Sequence, residues 1–136
     1  MGEIYIRFIV PKVIDPDSGV PSGVVAVAYD LVDEDKLAPD LLAQLRQSIA
    51  WIEKNLATPD RFNRTTSKGW YRRTTRGISW LRMSASLHVA ALRRLAELVA
   101  AAGYPTKELT AARVGYIVYE DEAQVVAEPF RDTPTR

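Results

Sequence analysis

Glu3-Ile4-Tyr5-Ile6-Arg7-Phe8-Ile9-Val10 puts β-branched and aromatic side chains at nearly every position of an extended segment. With a period of two, Ile4, Ile6, Phe8 and Val10 share one face, and Tyr5, Arg7 and Ile9 share the other. The stretch predicts a strand that stops at Pro11, which has no N–H for a ladder. A similar pattern returns near the far end of the chain. Val114, Tyr116 and Val118 alternate with Gly115, Ile117 and Tyr119, and residues 123–128 (Ala-Gln-Val-Val-Ala-Glu) run back after Glu120-Asp121-Glu122. That is a hairpin with a short acidic turn. With the segments between them read as helices, the expected fold is α+β: a small, mostly antiparallel sheet formed by the N-terminal strand and the C-terminal hairpin, covered by two to three helices.

The intervening segments supply the helices. Residues 14–23 are dense in turn formers and read as a loop. Residues 24–34 admit a buried strand by composition. Their spacing at Val24, Val27/Ala28 and Leu31 favours a helix capped by Ser22. Residues 39–57 are a clearer helix: Pro39 and Asp40 suit its first turn, and Leu41, Leu42, Leu45, Ile49, Ile52 and Leu56 make one apolar stripe. Residues 78–102 read as a third helix. Ser79 is its cap, Leu81, Ala85, His88, Leu92, Leu95 and Val99 form its seam, and Gly103 and Pro105 close it. The order becomes β-α-α-(basic segment)-α-β-β in one domain over residues 1–128, with 129–136 as a flexible tail.

The chain's 136 residues and 47% hydrophobic content suit one self-sufficient domain. There are no cysteines, which removes disulfide scaffolds, thiolate metal sites and cysteine nucleophiles together. No basic–apolar leader and no apolar run of membrane-spanning length are present, so the chain is expected to be cytoplasmic and not membrane-bound. The net charge of +1 hides a strong asymmetry. Residues 1–60 carry ten acids against five bases, and residues 95–136 carry seven against four. Residues 61–94 carry nine bases and no acid. Charge segregation of this kind is an argument about partners.

Within that run, Arg61, Arg64, Lys68, Arg72, Arg73 and Arg76 interleave with Trp70 and Tyr71. Guanidinium groups pair phosphates and carboxylates in two-point contacts, and aromatic faces stack bases. These eight residues predict a binding surface for an acidic protein or a nucleic acid. The acidic triplets Asp33-Glu34-Asp35 and Glu120-Asp121-Glu122 are the internal competitors for it. Trp70 is the expected exposed anchor, whereas Trp51 and Trp80 are expected in the core. His88 is the only histidine and so the one default proton carrier near neutral pH. A hydrolase of phosphate esters or nucleic acids, with His88 as general acid/base and Arg72 and Arg73 as clamps, is the enzymatic alternative. Its place on the apolar seam favours a core role instead. Self-association through the 78–102 helix, giving a homodimer, is the third reading. The glycines assemble no dinucleotide or phosphate-loop motif, no G-x-S-x-G elbow occurs, and the carboxylate clusters lack EF-hand spacing. The expectation is therefore a non-enzymatic binding module without metal or cofactor.

Overall fold

The computed structural model describes residues 2–60, 62 and 77–136. The element order is β1 (Tyr5–Ile14), β2 (Pro21–Gly23), α1 (Val24–Glu34), α2 (Pro39–Asn55), β3 (Ile78–Arg82), α3 (Ser86–Ala101), β4 (Lys107–Ala111), β5 (Tyr116–Glu120) and β6 (Gln124–Glu128). The α+β class holds, but the sheet is larger than expected: six strands, all antiparallel among the described residues. Its order is β2-β1-β3-β6-β5, with β4 on the other edge of β1.

The two faces of β1 build two cores. Ile6, Phe8 and Val10 join the larger one, where α1, α2 and α3 cover the sheet through Val27, Leu45 and Leu95. Tyr5 and Ile9 join the smaller one on the opposite face, with Ile78, Trp80, Leu109, Val114 and Val125. Each fully buried side chain of this size contributes roughly 1.5–3 kcal/mol. A strand that buries both faces is therefore held far more firmly than one that buries a single face. Pro11 does not end β1, because it falls in the irregularity between Val10 and Ile14 where the ladder to β2 shifts and no N–H is required.

Several expectations need correction. Residues 78–102 are not one helix: Ile78–Arg82 form β3, and the helix begins only at Ser86. β3 is a central strand, laddered to β1 on one edge and β6 on the other. Two ladders, the burial of Trp80 on one face and of Leu81 on the other outweigh the helical spacing of Leu81 and Ala85. Ser79 is thus a strand residue, not a cap. Ser22 is not the cap of α1 either. It belongs to β2, and Gly23 takes the N-cap position with no side-chain hydrogen bond. The first strand does not pair with the C-terminal hairpin, because β3 stands between them. β2 falls in the segment expected as a loop, and β4 is a strand where the sequence pattern predicts no element. The hairpin, α1 as a helix, and α2 with Pro39 in its first turn are as expected.

Residues 129–136 are tied back to the segment before β5. Thr133 is buried; its Oγ1 donates to the Arg113 carbonyl and accepts from the Phe130 N–H. Arg113 pairs with Asp132 at 3.2 Å. Among the described residues, no helix is long and apolar enough to cross a membrane.

Candidate functional site

The eight residues of the expected binding surface, Arg61, Arg64, Lys68, Trp70, Tyr71, Arg72, Arg73 and Arg76, lie outside the described residues. Phe62 and Gly77, just inside them, are described. The Gly77 N–H donates to the Phe62 carbonyl at 2.6 Å. A Cβ on Gly77 would come within 2.5 Å of that oxygen and 2.6 Å of Val126 Cγ1, so only glycine permits this approach. Phe62 and Gly77 both line a cleft of about 330 Å³.

The cleft exists because the sheet divides. β3 pairs with β1 only at Tyr5↔Arg82 and Ile6↔Leu81, and β2 takes over the same edge at Ile9↔Gly23. Between these ladders, Arg7 and Phe8 face no paired strand on that edge. Residues from both faces of the sheet line the opening: Phe8, Leu81 and Leu92 from the helix side, Arg7 and Trp80 from the other. The antiparallel register, extended by one step, sets Arg7 opposite Trp80 where pairing lapses.

Arg7 spans the gap. Its Nη1 donates to the Ser79 carbonyl of β3 at 3.0 Å, and its Nη2 to the Pro21 carbonyl of β2 at 3.4 Å. Its Nε is sealed from bulk water and has no partner, although part of the side chain stays open to the cleft. The Trp80 indole N–H, on a residue only 1% exposed, is likewise unpaired. Buried donors left unpaired cost about 1–3 kcal/mol each, so two of them in one cleft require an explanation. No carboxylate forms a salt bridge with Arg7 among the described residues. Burial pushes the guanidinium pKa down to about 10, and the field of Asp15 offsets part of that fall. Asp15 itself is held at the rim by the Ser18 hydroxyl and the Asp17 N–H, each at 3.0 Å.

The start of α1 completes the arrangement. Gly23, Val24, Val25 and Ala26 line the cleft, and the first turn carries neither a side-chain cap nor an acidic residue. Helix N-termini present unpaired N–H groups and roughly half a positive charge. The Arg7 guanidinium lies 3.5–3.7 Å from where a Gly23 Cβ would be. A fixed cation and an uncapped helix N-terminus thus meet at one point, which suits a negative charge.

His88 sits elsewhere. Its Nε2–H donates to the Asn55 carbonyl at 2.8 Å, and its ring meets Trp51 edge-on at 5.5 Å. It is half-buried at the border of the α3 core face, which runs through Val89, Leu92, Ala96 and Val99. Its expected clamps, Arg72 and Arg73, lie outside the described residues. Ser84 precedes α3, does not share a helical face with His88, and donates to Glu3. Among the described residues no group of three metal-ligating side chains occurs.

Below the cleft, Gln124 ties the hairpin to the end of α2. Its Nε2 donates to the Ala57 carbonyl at 2.5 Å and to Asp121 at 3.1 Å. A second, shallower groove lies between α2 and α3, lined by Trp51, Ala90, Ala91 and Leu98 beside Leu87, which is 73% exposed. The sequence reading missed Arg7, yet its signal was visible: a cation flanked on both sides by apolar residues, on the face shared by Tyr5 and Ile9. No protein-family model, curated protein or solved structure matches the chain.

Proposed function

We propose that this chain is a non-enzymatic binding module that seats an anionic group in the divided-sheet cleft, against Arg7 and the first turn of α1. One observation carries the reading: Arg7 is partly buried without an ion pair among the described residues, and its guanidinium lies beside an uncapped helix start. A buried unpaired charge is costly. An anionic ligand recovers that cost, supplying the partner that no described side chain provides. Fixed donors over an apolar wall suit retention of a ligand more than turnover.

Arg7→Gln keeps a donor and removes the charge. Calorimetric titration with acetate and with inorganic phosphate is expected to give Arg7-dependent binding to at least one of them. The variant should lose at least ~10-fold in affinity, in line with the ~1.5–3 kcal/mol typical of hydrogen bonds to charged groups. Affinity for acetate should be level between pH 6 and 9 and fall above about 10, where Arg7 in the free protein gives up its proton. Equal binding by wild type and Arg7→Gln would end this reading.

The Arg-rich run adds a second proposal, carried by the 34-residue stretch without a single acid. Residues 61–76 engage a polyanion or an acidic protein face. Charge reversal at Arg72, Arg73 and Arg76 should abolish retention on heparin and flatten the salt dependence of oligonucleotide binding. Absence of heparin and oligonucleotide binding by wild type would leave the acidic protein as partner, and a pull-down in which neither form captures one would remove the proposal.

A further inference from the structure

We infer that the ligand of this cleft is a small monocarboxylic acid with an aliphatic body, an assignment that rests on the anion-site reading above. Charge, geometry and wall composition point the same way. The described lining holds one full cation, Arg7, and one full anion, Asp15. The partial positive charge of the α1 N-terminus is the remaining contribution. With Asp15 counted, that set is positive by only about half a charge, which favours a monoanion over a dianion. A phosphate dianion would bring a second charge toward Asp15 with no second cation among the described lining residues.

The donors also match a carboxylate. The second hydrogens of Arg7 Nη1 and Nη2, beyond those given to Ser79 and Pro21, and the N–H groups of the first α1 turn are separate donors on residues of one opening. A carboxylate has two oxygens with about four acceptor directions between them. Beside the polar Ser18, Ser79 and Gln124, most of the remaining wall is apolar, with Phe8, Val24, Val25, Leu56, Leu81 and Leu92. About 330 Å³ is at the small end of the range for small-molecule sites, roughly 300–1,000 Å³, so the body must be short. A purely inorganic anion would leave that wall unused. Every methylene moved from water onto it should tighten binding by about fourfold, the ratio that ~0.8 kcal/mol per CH₂ represents.

The test is calorimetric titration of the whole chain with acetate, butyrate, hexanoate, inorganic phosphate and neutral hexanamide. Affinity is expected to climb from acetate to hexanoate by about fourfold per methylene until the cleft is full. Hexanamide and phosphate should bind at least tenfold more weakly than hexanoate. Arg7→Gln also disturbs the two carbonyl contacts that join β2 and β3, so a second variant separates binding from folding. Ala26→Glu places a carboxylate at the third position of α1, where it favours the helix. It should melt no lower than wild type and lose hexanoate binding at least tenfold. If phosphate binds more tightly than hexanoate in an Arg7-dependent way, the ligand class is wrong and the anion site stands. If hexanamide matches hexanoate, the carboxylate assignment is overturned. If no anion binds, the inference and the reading beneath it both fail. Unchanged hexanoate binding by Ala26→Glu would remove the helix terminus from the site.

Discussion

Gly115→Ala will destabilise the protein by more than ~3 kcal/mol, the largest effect expected of any single methyl group here. Gly115 has φ +124°, a conformation that L side chains rarely adopt. Entering it costs an alanine roughly 1–3 kcal/mol before any contact is considered. The added Cβ would also overlap the Glu128 carbonyl oxygen and press on Pro129 Cα, both of them backbone atoms. Backbone cannot rotate away as a flexible side chain can, and overpacking typically adds ~1–3 kcal/mol. The substituted segment leads into β5 and abuts the end of β6, so the outer hairpin should loosen first. Urea denaturation gives the magnitude, and hydrogen exchange at Tyr116–Glu120 gives the location. A loss below ~1 kcal/mol would mean that this close approach is not a constraint on the fold.

Asp121→Ala comes next, at about 2–4 kcal/mol. The Asp121 carboxylate closes the β5–β6 turn: Oδ1 accepts from the Ala123 and Gln124 N–H groups at 2.9 Å, and Oδ2 accepts from the Tyr119 hydroxyl at 2.8 Å and Gln124 Nε2 at 3.1 Å. Alanine leaves four donors short of this acceptor, and those that stay shielded from water each carry a penalty of order 1–3 kcal/mol. The same geometry makes a pH prediction. Partial burial disfavours the charged carboxylate. The hydrogen bonds from Ala123, Tyr119 and Gln124 outweigh it, so the pKa lies below the usual carboxylate value. A carboxyl group whose folded pKa is depressed stabilises the fold above its unfolded pKa, near 4. It loses that contribution as pH falls through the folded value. Wild type should therefore lose stability below about pH 4 more steeply than Asp121→Asn, which has no carboxyl to protonate at that position. Parallel acid limbs for the two proteins would contradict this account of the turn.

What could be read in advance follows from where each signal is stored. Ile6, Phe8 and Val10 against Tyr5 and Ile9 announced β1 and its two faces, because a period of two is a local property. Pro39 with the leucine stripe announced α2 for the same reason, and Tyr116–Glu120 with Gln124–Glu128 announced the hairpin. Ile78–Arg82 was misread because Leu81 and Ala85 extend the genuine α3 spacing backward by chance. Only the two flanking strands make this segment a strand, and they are distant in sequence. β4 escaped notice because it is an edge strand with a single buried residue, Leu109, among Lys107, Glu108 and Thr110; charged edge strands resist unwanted pairing and look like loops.

The cleft is harder still to foresee. It depends on β3 and β2 meeting the same edge of β1 with a gap between them, and no window of sequence contains that relation. Arg7 carried a local hint, a cation among isoleucines. Its significance needed the missing counter-ion, the bare start of α1 and Trp80 opposite, all of which come from the tertiary structure. The charge run at 61–94 shows the opposite case: it is plain in the sequence, and its most basic part falls outside the described residues.

The central claim is that an anion occupies the cleft against the Arg7 guanidinium, of which the Nε–H is part. The most direct measurement is the ¹⁵N–¹H resonance of that Nε–H group, assigned by its loss in Arg7→Gln and followed while hexanoate is added. The account predicts a resolved, slowly exchanging Arg7 signal that moves with hexanoate in parallel with the calorimetric isotherm, with the Trp80 indole signal moving alongside it. An Arg7 signal that stays fixed at hexanoate concentrations that saturate the calorimetric response would contradict it.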